Sequence, residues 1–143
     1  MSSAPKAATA KVRPSRSSFL SMNFKILIID DAVLMHRLCE RALAKLGHTL
    51  VFAASVAEAR EALASHEPDL LITDIMLPDG RAAEVISRFE EKFPERGVIV
   101  MSGGDPSAQD LASLSSRKPV NFLKKPFDWA EMTALITLAL TKT

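Results

Sequence analysis

Three aspartates, one serine and one lysine follow apolar runs in this chain, and together they could handle a phosphoryl group. Asp30 and Asp31 close the run Lys25-Ile26-Leu27-Ile28-Ile29. Asp74 closes Leu70-Leu71-Ile72-Thr73 and is followed by Ile75-Met76-Leu77-Pro78-Asp79-Gly80. Ser102 closes Val98-Ile99-Val100-Met101, and Lys124-Lys125-Pro126 follows Val120-Asn121-Phe122-Leu123. A charge at the end of a buried strand is costly unless something compensates it. Three carboxylates within a few ångströms repel and resist full ionisation, and a hard divalent cation removes that cost. Mg2+ suits the set, with a few carboxylates, a backbone carbonyl and several retained waters. With Lys125 as a second cation and Ser102 as a neutral donor, Asp74 could act as a nucleophile toward phosphorus. The cations would then neutralise charge on the phosphoryl oxygens.

Taken singly, each signal is commonplace. An aspartate that ends a strand usually serves a turn or a helix cap, and Asp31 could simply cap the first helix. A lysine before proline is commonly a solvated side chain. The weight lies in all of these residue types ending strands in one chain.

Positioning them requires strands that run the same way. Apolar runs of four or five residues bounded by turn signals read as strands buried on both faces. They are expected at Lys25–Ile29, Thr49–Ala53, Leu70–Thr73, Val98–Met101 and Val120–Leu123. Helical spacing lies between them. The first helix is expected from Ala32 to Leu46, with Leu34, Leu38, Ala42 and Leu46 inward, Cys39 and Leu43 broadening that face, and Gly47 as its stop. Ser55-Val56-Ala57-Glu58 is a capping box that opens the second helix, which ends before Pro68. The third carries Val85, Ile86 and Phe89 inward and stops near Pro94, and the fourth starts at Asp105-Pro106 with Leu111 and Leu114 inward. Asp128 caps the fifth, in which Met132, Leu135, Ile136, Ala139 and Leu140 follow amphipathic spacing. Five strands alternating with five helices give a doubly wound α/β fold whose parallel sheet collects every strand end on one ligand-binding edge.

Composition narrows the function. The 143 residues suffice for one domain with a real core, and 48% hydrophobic with 24% charged residues is ordinary for a soluble globular protein. No apolar run approaches the ~20 residues needed to span a bilayer. Cys39 is the single cysteine and cannot form an internal disulfide, which fits a reducing cytosol and a cytoplasmic location. Residues 1–21 hold Lys6, Lys11, Arg13 and Arg16 and no acid, and read as a disordered basic Ser/Ala/Pro-rich extension before a folded domain at 22–143. The 18 basic residues less these four leave 14 against 17 acidic, a balance of −3 for the folded part. That balance argues against direct DNA binding. His36, His48 and His66 are scattered and suggest no metal cluster. Val33, His36 and Arg37 read by default as an ordinary exposed helix face, although they could line a kinase-docking surface. Trp129 either packs on the domain or marks a partner site.

The order Ile28-Ile29-Asp30-Asp31, Leu71-Ile72-Thr73-Asp74-Ile75-Met76-Leu77-Pro78-Asp79-Gly80, Val100-Met101-Ser102-Gly103 and Phe122-Leu123-Lys124-Lys125-Pro126-Phe127 resembles the response-regulator receiver domain of two-component signalling, CheY-like, over about residues 23–143. The resemblance implies a flavodoxin-like (βα)5 fold with strand order 2-1-3-4-5. It implies that Asp74 accepts a phosphoryl group from a histidine kinase or a histidine phosphotransfer protein. Asp30, Asp31 and Asp74 and the backbone carbonyl of Met76 would hold Mg2+, and Ser102 and Lys125 would contact the phosphoryl oxygens. The Lys125-Pro126 peptide is expected to be cis, with Lys124 pointing elsewhere because strand neighbours alternate faces. Ser102 and Phe122 would switch a protein-binding surface on the fourth helix, fifth strand and fifth helix, although Phe122 reads equally as core.

Ala82 stands where many relatives carry a second glycine, so the loop after the third strand is expected to differ slightly. Met76 and Gly104 offer no polar side chain to orient attacking water, so hydrolysis of the phosphorylated form is expected to be slow. The fifth helix runs to the end of the chain, which suggests a single-domain receiver acting on a downstream protein and not itself an enzyme. A phosphorylation-dependent homodimer is a further partner that this reading allows. The alternatives are a receiver from a longer hybrid kinase or multidomain regulator, and a pseudo-receiver used only for docking. Retention of all five polar residues counts against the pseudo-receiver. An aspartyl-phosphate phosphatase would carry a second acid at Met76, and Asp30-Asp31 would repel the phosphate of a flavin.

Overall fold

Strand-forming residues with buried side chains on both faces build the sheet of the computed structural model, which describes residues 23–103 and 120–141. Strands β1 (Lys25–Ile29), β2 (Thr49–Ala53), β3 (Leu70–Asp74), β4 (Gly97–Ser102) and β5 (Asn121–Lys124) pair in parallel in the order β2-β1-β3-β4-β5. This is the expected doubly wound, flavodoxin-like order. The structure shifts the expected strand bounds by one residue at most. Asp74 and Ser102 are the last residues of their strands rather than the first residues beyond them.

The pleat divides the sheet into two apolar faces. Leu27, Ile29, Leu71, Val98 and Val100 pack against two helices, Val56–Ser65 and Ala82–Lys92 (α2 and α3 in chain order), through Val56, Ala59, Leu63, Val85, Ile86 and Phe89. Ile26, Ile28, Leu70, Ile72, Ile99, Met101 and Leu123 pack on the other face. There they meet Cys39 and Leu43 of α1 (Val33–Leu43) and Met132, Ile136, Ala139 and Leu140 of the helix Trp129–Thr141. Gly97 allows the close approach on this side, because a Cβ there would lie 3.1 Å from the Cβ of Ala139.

One expectation about packing is corrected. In the expected stripe Leu34, Leu38, Ala42 and Leu46, Leu46 packs against the core, but Leu34 and Leu38 are not part of the inward face of α1. Leu34 and Leu38 are 67% and 37% exposed, whereas Cys39 and Leu43 are buried and Met35 packs beside them. Both stripes keep four-residue spacing, so periodicity alone could not choose between them. The α-helix also ends at Leu43, and a 3-10 turn, Ala44–Leu46, leads to Gly47 with φ +78°. That left-handed position is the expected glycine stop.

The Ser55 half of the capping box forms as read, and Glu58 reaches back one residue further, to Ala54. Ser55 Oγ accepts from the Glu58 amide at 3.1 Å, and Glu58 Oε1 accepts from the Ala54 amide at 2.8 Å. Asp128 Oδ1 caps the last described helix by accepting from the Ala130 amide at 3.1 Å. Val85, Ile86 and Phe89 point inward from α3, as expected. Residues 1–21, Met22, Gly104 and the helix expected from Asp105-Pro106 lie outside the described residues. Among the described residues, no helix is long and apolar enough to cross a membrane.

Candidate functional site

Parallel neighbours deliver their carboxyl ends to one place. Ile29 of β1 pairs in register with Thr73 of β3, so Asp30 and Asp74 emerge side by side. Asp31 follows on the same edge. Ligand oxygens of Asp30, Asp31 and Asp74 all lie within 4.8 Å of one another. Asp30 is buried, Asp74 half-buried and Asp31 exposed, so the cluster grades from the sheet edge to solvent.

Lys125 closes the site from β5, two strands away from β3. The Lys125-Pro126 peptide is cis, as expected, and the Lys125 amide donates to the carbonyl oxygen of Ser102 at 2.7 Å. Its Nζ donates to Asp30 Oδ2 at 2.7 Å and to Asp74 Oδ2 at 3.0 Å. Lys124 is exposed, consistent with strand alternation. Burial alone would push the Lys125 pKa down, but its hydrogen bonds and charge attraction to Asp30 and Asp74 outweigh that and hold it above the ordinary lysine value. Its ammonium therefore stays charged between two carboxylates.

Ser102 ends β4 and is buried. Asp74 pairs in register with Met101, which places Ser102 one residue beyond the acid on the neighbouring strand. Phe122 lies further back on β5, half-buried against the α2 and α3 face of the sheet. Met76 lies just past Asp74 with its side chain 51% exposed. The edge thus brings Asp30, Asp31, Asp74 and Lys125 together, sets Ser102 beside them, and leaves Phe122 behind them.

Three carboxylates with no sulfur or imidazole among them form a hard oxygen donor set that fits Mg2+. They are the one group of three or more acid, histidine or cysteine ligands among the described residues. Cys39 lies behind this edge in the core. Burial first, and then the Asp30 charge, push its thiol up to about 12, so it stays protonated.

Two features escaped sequence reasoning. Met76–Leu77 and Gly80–Arg81 pair as a short antiparallel ribbon, and Asp79 at its tip caps α2. Its Oδ1 accepts from the Val56 amide at 2.7 Å and its Oδ2 from the Ala57 amide at 3.1 Å. The Asp79-Gly80 dipeptide signals the turn but not the helix it reaches, which is 23 residues away in sequence. Ala82, where a loop difference was expected, begins α3 and donates its amide to the Ile75 carbonyl at 3.2 Å. The second feature is His36. It is not on an open face as the default reading has it, because Nε2 lies 2.6 Å from the Asp30 carbonyl oxygen and the ring stacks on Phe52. Trp129 packs edge-on against Phe127 and the core.

Comparison with known proteins follows the same residues. Residues 26–137 match the family described as the response regulator receiver domain. The chain is 33% identical over 117 residues to the DNA-binding transcriptional regulator NtrC of Escherichia coli K12, covering 81% of this chain and 24% of that protein. Among solved structures, the signal receiver domain of an HD domain-containing protein from Pseudomonas fluorescens Pf-5 superposes with a TM-score of 0.77. It is 27% identical and the match covers 85% of this chain and 97% of that one. NtrX from Brucella abortus gives a TM-score of 0.73 at 26% identity, covering 85% of this chain and 27% of that chain. The chain spans about a quarter of the length of the NtrC relatives it matches.

Proposed function

The chain belongs to the response regulator receiver domain family, and from that premise we propose that it accepts a phosphoryl group on Asp74 from a histidine kinase or a histidine phosphotransfer protein, and signals by binding a downstream protein. The observation that carries this reading is the Lys125 ammonium held between Asp30 and Asp74 beside a third carboxylate.

Asp74 supplies the nucleophilic oxygen. A carboxylate oxygen attacks phosphorus while the phosphorus–nitrogen bond to the donor imidazole breaks, and the imidazole leaves after taking a proton from solvent. Lys125 is already aimed at the acceptor oxygen, so its charge needs no reorganisation as negative charge moves outward. The Ser102 hydroxyl donates to a second phosphoryl oxygen. Asp30, Asp31, Asp74 and the Met76 carbonyl would hold Mg2+. When bound, the metal supplies positive charge against the transferring oxygens.

Phosphorylation then shifts an existing equilibrium. Ser102 moves toward the new anion and Phe122 turns into the space behind it. The face around β5 and the helix Trp129–Thr141 changes its affinity for a protein. The domain acts in the cytoplasm without crossing a membrane, and its −3 balance beyond residue 21 speaks against direct contact with DNA. It is not an enzyme with an external turnover substrate, although it promotes the gain and loss of its own phosphoryl group.

A second reading is favoured by one observation, the quarter-length coverage of the NtrC relatives. In it the same receiver governs an effector domain elsewhere in a longer protein. The mass of the protein isolated from its native cells separates a lone receiver from that case. Phosphotransfer itself is tested with a radiolabelled phosphohistidine donor. Label should move to the wild-type chain within the mixing period and not to Asp74→Asn. Equal labelling of both proteins would rule out Asp74 as the acceptor.

A further inference from the structure

Asp30 is held at four points, and one of its holders has no part in the chemistry above. Its amide donates to the Ala53 carbonyl oxygen at 3.0 Å, and its Oδ1 accepts from the Ala32 amide at 2.9 Å. Its Oδ2 accepts from Lys125 Nζ at 2.7 Å. Its carbonyl oxygen lies 2.6 Å from His36 Nε2. A carbonyl oxygen can only accept, so Nε2 carries the proton and donates it.

The His36 ring is itself fixed. It stacks on Phe52 of β2, with centroids 4.8 Å apart and planes 22° from parallel. Phe52 pairs in register with Ile28 of β1, so the ring is braced by the same sheet edge that carries the acids. The Asp30 carbonyl belongs to the peptide unit that leads into Asp31. That unit is planar, so pinning its oxygen fixes the direction in which the chain enters Asp31. The Asp31 carboxylate has no hydrogen-bond partner among the described residues, and the backbone before it is what aims it.

We propose that His36 is a positioning residue that holds the Asp30–Asp31 peptide so that both carboxylates meet Asp74 in one metal-ligating cluster. The inference rests on the reading of that cluster as the Mg2+ site of the phosphoryl acceptor. Partners one step outside a metal site commonly set affinity by 10- to 100-fold, because they remove the need to order the ligands on binding.

The test uses the whole chain and two readouts. His36→Phe keeps a ring for Phe52 and removes the donor. His36→Gln restores an N–H near the Nε2 position, whereas His36→Asn stops near Nδ1 and falls short of the carbonyl. The first readout is Mg2+ affinity by calorimetric titration, and the second is amide hydrogen exchange without metal. We expect His36→Phe and His36→Asn to bind Mg2+ about 10-fold more weakly, with His36→Gln recovering most of the loss. We expect the Ala32 amide, which Asp30 holds, to exchange about 10-fold faster in the same two variants while Cys39 and Leu43 keep wild-type protection. A merely structural role would raise exchange along the whole of α1. Wild-type Mg2+ affinity in both His36→Phe and His36→Asn would overturn the proposal, as would unchanged Ala32 exchange. If the wild type binds Mg2+ but takes no phosphoryl group, the acceptor reading falls and the positioning role stands. If the wild type binds no Mg2+, the positioning role of His36 toward a metal site falls with it, whatever Ala32 does.

Discussion

Asp31→Asn is expected to stabilise the metal-free protein while weakening its response to Mg2+. The carboxylate oxygens of Asp30, Asp31 and Asp74 lie within 4.8 Å of one another. Two unit charges at that distance repel by about 0.9 kcal/mol in bulk water and by several times more at a protein-like dielectric. Asp31 is exposed, so screening keeps its share near the lower limit. It faces two such repulsions, from Asp30 and Asp74, partly offset by attraction to Lys125. The net release is about 1 kcal/mol, or a rise in Tm of roughly 3 °C for a chain of this size. In the wild type, Mg2+ at ten times its Kd adds ~1.4 kcal/mol, enough for a rise of about 4 °C. Differential scanning calorimetry at low salt, with and without Mg2+, reads both effects. The metal-free gain should shrink near 1 M NaCl, where the Debye length falls to about 3 Å. A metal-free Tm below wild type, or an undiminished Mg2+ response in Asp31→Asn, would refute the reasoning.

Three further outcomes follow from other residues. Asp79→Ala should lower Tm at pH 7 because α2 loses the carboxylate that caps it; the Val56 amide, with the Ala57 amide, holds the Asp79 pKa below its ordinary 3.8. That contribution is present above this value and is lost as pH falls through the folded-state pKa, so thermal melts of variant and wild type should converge in acid. His48 accepts the Phe24 amide through Nδ1 at 3.2 Å, and burial, against the attraction of Asp69, holds its pKa below 6.5. The unfolded chain then binds the extra proton first, so stability declines as pH drops below about 6.5, and His48→Gln should flatten that part of a Tm–pH profile. Cys39 should resist iodoacetamide in the folded protein and react at the rate of a free thiol in denaturant; rapid alkylation under native conditions would show that its burial is wrong.

Much of the site was legible because strand ends are. An apolar run that stops at Asp30, Asp74 or Ser102 marks both a strand and its edge, and the strand order that the resemblance implies then gathers those residues. Lys125 was picked out by the resemblance, which places the site lysine directly before Pro126, and strand alternation then sends Lys124 elsewhere. What stayed hidden depended on contacts between elements. The Leu34/Leu38 and Cys39/Leu43 stripes have the same spacing, and only packing in the core that Ile26 and Ile28 of the sheet also join decides which is inward. Asp79 reads as a turn residue because nothing local to it points to the open end of α2. His36 lies six residues after the carbonyl it holds, and its ring is fixed by Phe52 from a different strand. A histidine in the first turns of an amphipathic helix carries no local sign of either contact.

The most direct measurement is the intact mass of the chain after incubation with acetyl phosphate, with and without Mg2+, for wild type and Asp74→Asn. The expected result is a Mg2+-dependent gain of one phosphoryl group in the wild type, released by hydroxylamine as an acyl phosphate is, and absent from Asp74→Asn. No gain under any condition, or an equal gain in Asp74→Asn, would contradict Asp74 as the acceptor and leave a constitutive docking module in its place.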